Sequence, residues 1–168
     1  MKKIQQISTV IVLLIAVFTL FYALKDNKEN PEDIVLKDLK TSNQVSIKFS
    51  EKPTVLLFFT SWCPYCNEDA PKIVQLYNKY KNDLNIFGIN ITNRDDIQDV
   101  KDYVANYHID YPILLDESGS IYKKYAGSGF PSLYFFNSNG EVIDTIIGAT
   151  DLDTIENSFI FLKNNYKA

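Results

Sequence analysis

The sequence predicts an α/β domain with a mixed central sheet and helices on both faces, preceded by one apolar N-terminal segment. Three observations carry that expectation. Thr54–Thr60 (TVLLFFT) is a continuous apolar run of β-branched and aromatic character, the pattern of a strand covered on both faces. Apolar residues at helical spacing follow it, and then a second such run, Leu84–Ile91 (LNIFGINI), which together make a βαβ unit. Towards the C-terminus, Ser132–Phe136 and Glu141–Ile147 flank Asn137-Ser138-Asn139-Gly140, where Asn-Gly supplies the positive φ angles of a tight antiparallel hairpin.

The elements follow in chain order. After Lys2 and Lys3 the 21 residues Ile4–Leu24 carry no charge, enough at helical rise to cross the roughly 30 Å hydrocarbon layer of a bilayer. A cleaved secretory signal shares the basic start and apolar centre, but Phe21, Tyr22, Leu24 and Lys25 offer no small-x-small site. Residues 1–25 therefore read as a membrane anchor, single-pass in the cell membrane through residues 4–24. Lys2 and Lys3 stay in the cytoplasm by the positive-inside bias, and the rest of the chain lies on the extracytoplasmic side. Residues 26–33 (DNKENPED) are a polar linker, and residues 34–168 are one domain.

Within it, Ile34, Leu36 and Leu39 alternate against Val45, Ile47 and Phe49 about Lys40–Gln44, which reads as an N-terminal β-hairpin. The strand Thr54–Thr60 belongs at the centre of the sheet. From about Cys63 to Lys81 a helix is expected, with Pro71 inside it to bend it. Asp95–Tyr107 is helical by period, Pro112–Leu115 extended, and Ser120–Tyr125 a short helix after the turn residues Ser118 and Gly119. Asp151–Asn164 ends the chain as an amphipathic helix. Phe58, Phe59, Phe87, Phe135 and Phe136 read as core, and the tyrosines at 77, 80, 107, 111, 122, 125 and 134 as packing at core edges. His108, the sole histidine, reads as a surface or capping residue.

Composition narrows the function. With 46% hydrophobic and 23% charged residues, six Gly and six Pro, the chain is neither disordered nor collagenous. A net charge of -4, with Arg94 the one arginine and lysines scattered among acids, lacks the basic face that nucleic acid requires. A domain of this length builds its core without staples, so the two cysteines are free for chemistry.

Both lie in Trp62-Cys63-Pro64-Tyr65-Cys66, directly after the buried strand and at the start of a helix. Two intervening residues let the sulfurs close a disulfide, and unpaired amides with the helix macrodipole stabilise a thiolate at Cys63. Cys63 is then the nucleophile, and Cys66, one turn further in and more buried, resolves the mixed disulfide. Pro64 suits the first turn, where its missing N–H costs nothing. Leu57, six residues before Cys63, carries no carboxylate, which leaves Asp69 and Glu68 as the acids for proton transfer. Asp69 falls on the helix face of Cys66. A structural disulfide would close too short a loop to matter, and a zinc site lacks ligands, since one histidine and two cysteines are all the chain has. No metal and no bound cofactor is implied.

In that context the sequence resembles the membrane-anchored TlpA/ResA-like family of bacterial extracytoplasmic thiol-disulfide oxidoreductases. The resemblance runs from about Ile34 to Phe161, through IVLKDLKTSNQVSI, VLLFFTSWCPYCNEDAP, YPILLDESGSIYKKY and GFPSLYFFNSNGEVI. It implies a thioredoxin fold with an N-terminal hairpin and a central βα insertion. It also implies that Pro131 of Gly129-Phe130-Pro131 is a cis-proline beside the cysteines, with the Phe130 backbone set to pair with an extended substrate. Trp62, Pro64, Tyr65, Phe130 and Pro131 make the expected substrate-binding surface. The partners implied are cysteine-containing exported proteins and an unidentified membrane electron donor. The sequence departs from the family pattern twice: Pro-Tyr stands between the cysteines where proline more often precedes the second, and Asp69 stands where glutamate is usual.

The resulting expectation is a thiol-disulfide oxidoreductase that reduces exported proteins, since acidic neighbours disfavour the very stable thiolate of a strong oxidant. Alternatives are a dithiol oxidase or isomerase using the same residues, and a tethered non-catalytic redox-sensing or binding module. A peroxidase is disfavoured: Thr60 lies three before Cys63, but Leu56 stands where that pattern has proline.

Overall fold

In the computed structural model, residues 34–125, 127 and 129–166 are described, together with 18 and 19. The chain divides into two units, Met1–Glu32 and Asp33–Ala168, and the second carries the fold. The expected membrane segment lies outside the described residues except for 18 and 19; among the described residues no helix is long and apolar enough to cross a membrane.

Among the described residues, seven strands form one sheet. In chain order they are β1 (Ile34–Asp38), β2 (Gln44–Ile47), β3 (Thr54–Phe59), β4 (Asn85–Asn90), β5 (Ile113–Leu115), β6 (Ser132–Phe136) and β7 (Val142–Ile147), in the spatial order β2-β1-β5-β4-β3-β6-β7. β3 pairs parallel with β4 and β4 parallel with β5, while β1 joins β5 and β6 joins β3 antiparallel, so the sheet is mixed as expected. The helices are α1 (Pro64–Tyr80), α2 (Ile97–Asn106), α3 (Ser120–Tyr125) and α4 (Leu152–Asn165). This is the thioredoxin fold, with the β1–β2 hairpin added at one edge.

The period of two along β3 divides the interior. Val55, Leu57 and Phe59 face a core shared with Ile73 and Leu76 of α1, Val100 and Tyr103 of α2, and Ile155, Phe159 and Leu162 of α4. Leu56 and Phe58 face the opposite core, which holds Ile34, Ile47, Phe49 and Tyr122 of α3. All six residues of β3 are buried, which explains their unbroken apolar run. Gly88 in β4 is needed for close approach: a Cβ there would stand 2.6 Å from Ile113 Cδ1 and 3.1 Å from Tyr111 Cε2.

Several sequence expectations are corrected. The predicted helix from Asp95 starts later, because Thr92–Arg94 form a 3-10 turn and Asp96 caps α2 by accepting from the Gln98 amide at 2.7 Å. In the β6–β7 turn only Gly140 has positive φ (+73°); the Asn137 side chain organises the loop by accepting from the Asn139 and Glu141 amides. Phe49 lies beyond the end of β2 yet is buried, its ring 4.7 Å from that of Phe136. Phe87 is half-buried, whereas Tyr80, Tyr111, Tyr122 and Tyr134 are inside the cores and not at their edges. Pro71, by contrast, lies inside helix α1 as expected. His108 is exposed at the end of α2, also as expected, a left-handed residue (φ +54°) followed by the Ile109 amide donating back to the Val104 carbonyl.

Asp151 caps α4, accepting from the Thr154 amide and hydroxyl at 2.8 Å each, and those bonds hold its carboxyl below the usual range. A carboxyl depressed by folding contributes stability that is present above its unfolded value and lost as pH falls through its folded value. Below about pH 4 the melting temperature of the parent should therefore fall more steeply than that of Asp151→Ala. Parallel curves through that range would remove the cap as the source.

Candidate active site

The site is built where β3 ends and α1 begins. Cys63 is the N-cap of α1 with extended backbone angles, and its sulfur accepts from the Cys66 amide at 3.4 Å. Pro64 occupies the first helical position, where no donor is lost. The thiol therefore sits at the positive end of a 17-residue helix. Both cysteines are free thiols and both are nearly closed to solvent, 3% and 2% exposed, so the expected contrast in burial between them is slight.

Across from Cys63 lies the loop before β6. The Phe130–Pro131 bond is cis, and the Phe130 carbonyl is 3.8 Å from the Cys63 sulfur. The loop is tied on both sides: the Ser132 hydroxyl donates to the Gly129 carbonyl, and the Gly148 amide to the Pro131 carbonyl. Trp62 spans motif and loop. Its indole N–H donates to the Arg94 carbonyl at 2.8 Å, and its ring meets Phe130 edge-on at 5.4 Å while staying 56% exposed. Tyr65 is likewise exposed on the first turn. Beside Trp62 a cleft of about 390 Å³ opens between α1 and α2, with Asp99 and Asp102 on its α2 wall.

Beneath the surface the second thiol is tightly held. Burial pushes the Cys66 thiol well above its ordinary range, reinforced by its hydrogen bond with Cys63 and opposed by the Thr60 backbone. Asp69, one turn along α1, is buried, and burial also raises its carboxyl; Lys72 works against that rise. One Asp69 oxygen bonds the Lys72 ammonium at 2.8 Å, while the other, Oδ2, is buried with no protein partner among the described residues. Glu68 is exposed on the outer face and pairs with Lys72 at 3.2 Å. The two acids thus meet at one lysine, and only Asp69 is inside with Cys66.

Sequence reasoning missed three contributors. Asp95 accepts from the Ser61 amide (2.6 Å) and hydroxyl (2.5 Å) and from the Asn90 side chain (2.8 Å), fastening the segment that leads into Cys63. Tyr103 of α2 donates to the Cys66 carbonyl at 3.0 Å. Lys72 is the third. No local pattern links residue 61 to residue 95 or residue 66 to residue 103; Lys72 stood at helical spacing from Asp69 and was legible in principle.

This arrangement can run dithiol–disulfide exchange: an exposed aromatic rim, a sulfur at a helix N-terminus, and a second thiol one turn along the helix beside a buried carboxyl. Comparison with known proteins agrees. The profile of the Redoxin family matches residues 25–158. The thiol-disulfide oxidoreductase ResA of Bacillus thuringiensis subsp. konkukian is 30% identical over 168 residues, covering 93% of this chain and 95% of that one. The sporulation thiol-disulfide oxidoreductase A of Bacillus subtilis is 26% identical over 150 residues, with 86% and 90% covered. Among solved structures, StoA from Bacillus subtilis superposes with a TM-score of 0.68 at 26% identity, over 77% of this chain and 97% of that one. A secreted disulfide oxidoreductase of Mycobacterium tuberculosis gives 0.70 at 24% identity, over 77% and 96%, a likeness of fold.

Proposed function

The chain belongs to the Redoxin family and is a thiol-disulfide oxidoreductase, and from that premise we propose that it reduces disulfide bonds of exported proteins, with Cys63 attacking and Cys66 resolving. The observation that carries this reading is the Cys63 sulfur at the N-cap of α1, 3.8 Å from the carbonyl of Phe130. A substrate strand pairing with that backbone edge brings its own disulfide to the nucleophile.

The exchange runs in two steps. The Cys63 thiolate attacks one sulfur of the substrate disulfide, forming a mixed disulfide and releasing the other substrate sulfur as a thiolate that takes up a proton. Cys66 then gives its proton to Asp69 and attacks the Cys63 sulfur. The Cys63–substrate bond breaks, the Cys63–Cys66 bond forms, and the second substrate sulfur leaves with a proton. Two electrons have passed from the dithiol to the substrate. Trp62, Pro64 and Tyr65 form the exposed part of the docking surface, with Phe130 half-buried and Pro131 buried beside them, and Glu68 acts from outside through its charge.

The apolar run of residues 4–24 after Lys2 and Lys3 supports tethering to the cell membrane, with 26–33 as linker and 34–168 on the extracytoplasmic side. There an unidentified membrane donor resupplies the electrons. The reduction potential of the pair in the full chain, equilibrated with glutathione and dithiothreitol buffers, tests the direction. A value at or below about -250 mV is expected of a reductant, and one of about -120 to -180 mV would make the protein an oxidase or isomerase.

A further inference from the structure

Lys72 has no part in the sequence reading, yet it sits at the meeting point of the buried acid and the surface. It lies on α1 one turn beyond Asp69, its side chain only 20% exposed. Its three ammonium hydrogens have three acceptors: Asp69 Oδ1 at 2.8 Å, Glu68 Oε1 at 3.2 Å, and the Thr150 carbonyl at 2.5 Å, from the loop that leads into α4. The contact with Thr150 fixes the ammonium from a second element, so its position does not depend on one flexible pair. Asp69 presents one oxygen to it and keeps Oδ2 buried with no hydrogen-bond partner among the described residues. A buried carboxylate facing no cation takes up a proton and loses its capacity as a base.

The geometry points to Lys72 as the positioning residue that keeps Asp69 an ionised proton acceptor for Cys66, with Oδ2 left free to receive the thiol proton. This rests on the assignment of Asp69 as that acceptor. In the resolving step the Cys66 proton moves to Asp69, leaving a neutral acid beside the ammonium; the acid passes the proton to the departing substrate thiolate, and the pair is restored. Lys72 makes and breaks no bond. The groups that face Asp69 are Lys72 and Glu68 on α1, Cys66 one turn back, and the Thr150 backbone. Those that face Cys66 are Cys63, the Thr60 backbone and Asp69, with Tyr103 and Tyr111 also near it. Among these described groups Lys72 is the cation. Its removal also leaves the Glu68 charge uncompensated, which acts on Asp69 in the same direction.

The test is the two-phase reaction of the reduced full chain, in detergent, with 5,5′-dithiobis(2-nitrobenzoate). The first thionitrobenzoate released reports attack by Cys63, and the second reports attack by Cys66 on the mixed disulfide. Lys72→Gln should leave the first phase near that of the parent. It should slow the second about fivefold to tenfold on its acid limb and move that limb upward by about one pH unit. Lys72→Arg, which keeps the charge, should restore the second phase. Asp69→Asn should slow the second phase by itself, and adding Lys72→Gln to it should change nothing further. A parental second phase in Lys72→Gln with a slow one in Asp69→Asn would overturn the role of Lys72 alone. A parental second phase in Asp69→Asn would overturn the acceptor itself. Equal slowing by Lys72→Gln with and without Asp69 would make Lys72 a structural staple through Thr150, and that too would overturn the inference.

Discussion

Replacing Cys66 by alanine in the full chain should convert the protein into a trap, accumulating mixed disulfides with cysteine-containing partners through Cys63. The nucleophile keeps its place at the N-cap of α1, beside the Phe130 carbonyl, because its position is set by the Thr60 carbonyl, which accepts from the Cys63 amide, and by the cap itself. What is lost is the second thiol, and with it the attack that releases the substrate. Turnover of a disulfide substrate should fall by roughly three orders of magnitude or more in Cys63→Ala and in Cys66→Ala alike, since the two act as a unit. They should differ on non-reducing electrophoresis: reductant-sensitive adducts with Cys66→Ala, none with Cys63→Ala. A Cys66→Ala chain that captures nothing would favour the non-catalytic binding module, whose disulfide changes only its own surface.

The largest loss of stability is expected at Phe159. It is fully buried on α4, its ring 5.6 Å from Tyr80 of α1 and 5.5 Å from Phe135 of β6, so it joins three elements under one side of the sheet. Phe159→Ala removes that side chain and leaves a cavity that rigid strand and helix backbones cannot fill, at a cost of about 3–5 kcal/mol. Against a total of roughly 5–15 kcal/mol that is a large share, and the melting temperature should fall by about 10 °C or more. Phe161, two residues on and 46% exposed, supplies the contrast: its replacement by alanine should cost about 0.5 kcal/mol or less. Denaturant unfolding of both variants checks the pair, and equal losses would mean that α4 does not pack as described.

How much of this was legible in the sequence depends on the range over which each signal acts. β3 announced its place because both of its faces are buried, and the motif that follows announced its chemistry because two cysteines one helical turn apart form a local unit. The terminal hairpin was legible from Asn139-Gly140, though its turn uses Gly140 and the Asn137 side chain, a choice made by loop length and bulge that the dipeptide alone does not encode. Burial of tyrosines was misjudged because a phenol looks amphipathic in sequence. Tyr80 is inside because Glu156, 76 positions away, accepts from its hydroxyl at 2.7 Å, and no local pattern carries that pairing. The support of the site was hidden for the same reason: Asp95 grips Ser61, and Thr150 meets Lys72, across chain separations that only the folded sheet closes. Asp69 and Cys66 were legible as neighbours on one face, but the division of labour between Asp69 and Glu68 was not. Helix spacing puts both near Lys72, and only packing decides which one is buried.

The central claim is that Cys63 and Cys66 hand two electrons to a substrate disulfide and become a disulfide themselves. The most direct measurement mixes the fully reduced full chain with a disulfide-bonded protein substrate, quenches with acid at successive times, alkylates the remaining thiols and maps both proteins by peptide mass. The account predicts one Cys63–Cys66 disulfide formed for each substrate disulfide lost, preceded by a transient adduct carried on Cys63. Loss of substrate disulfides with both cysteines still alkylated, or an adduct carried on Cys66, would contradict it.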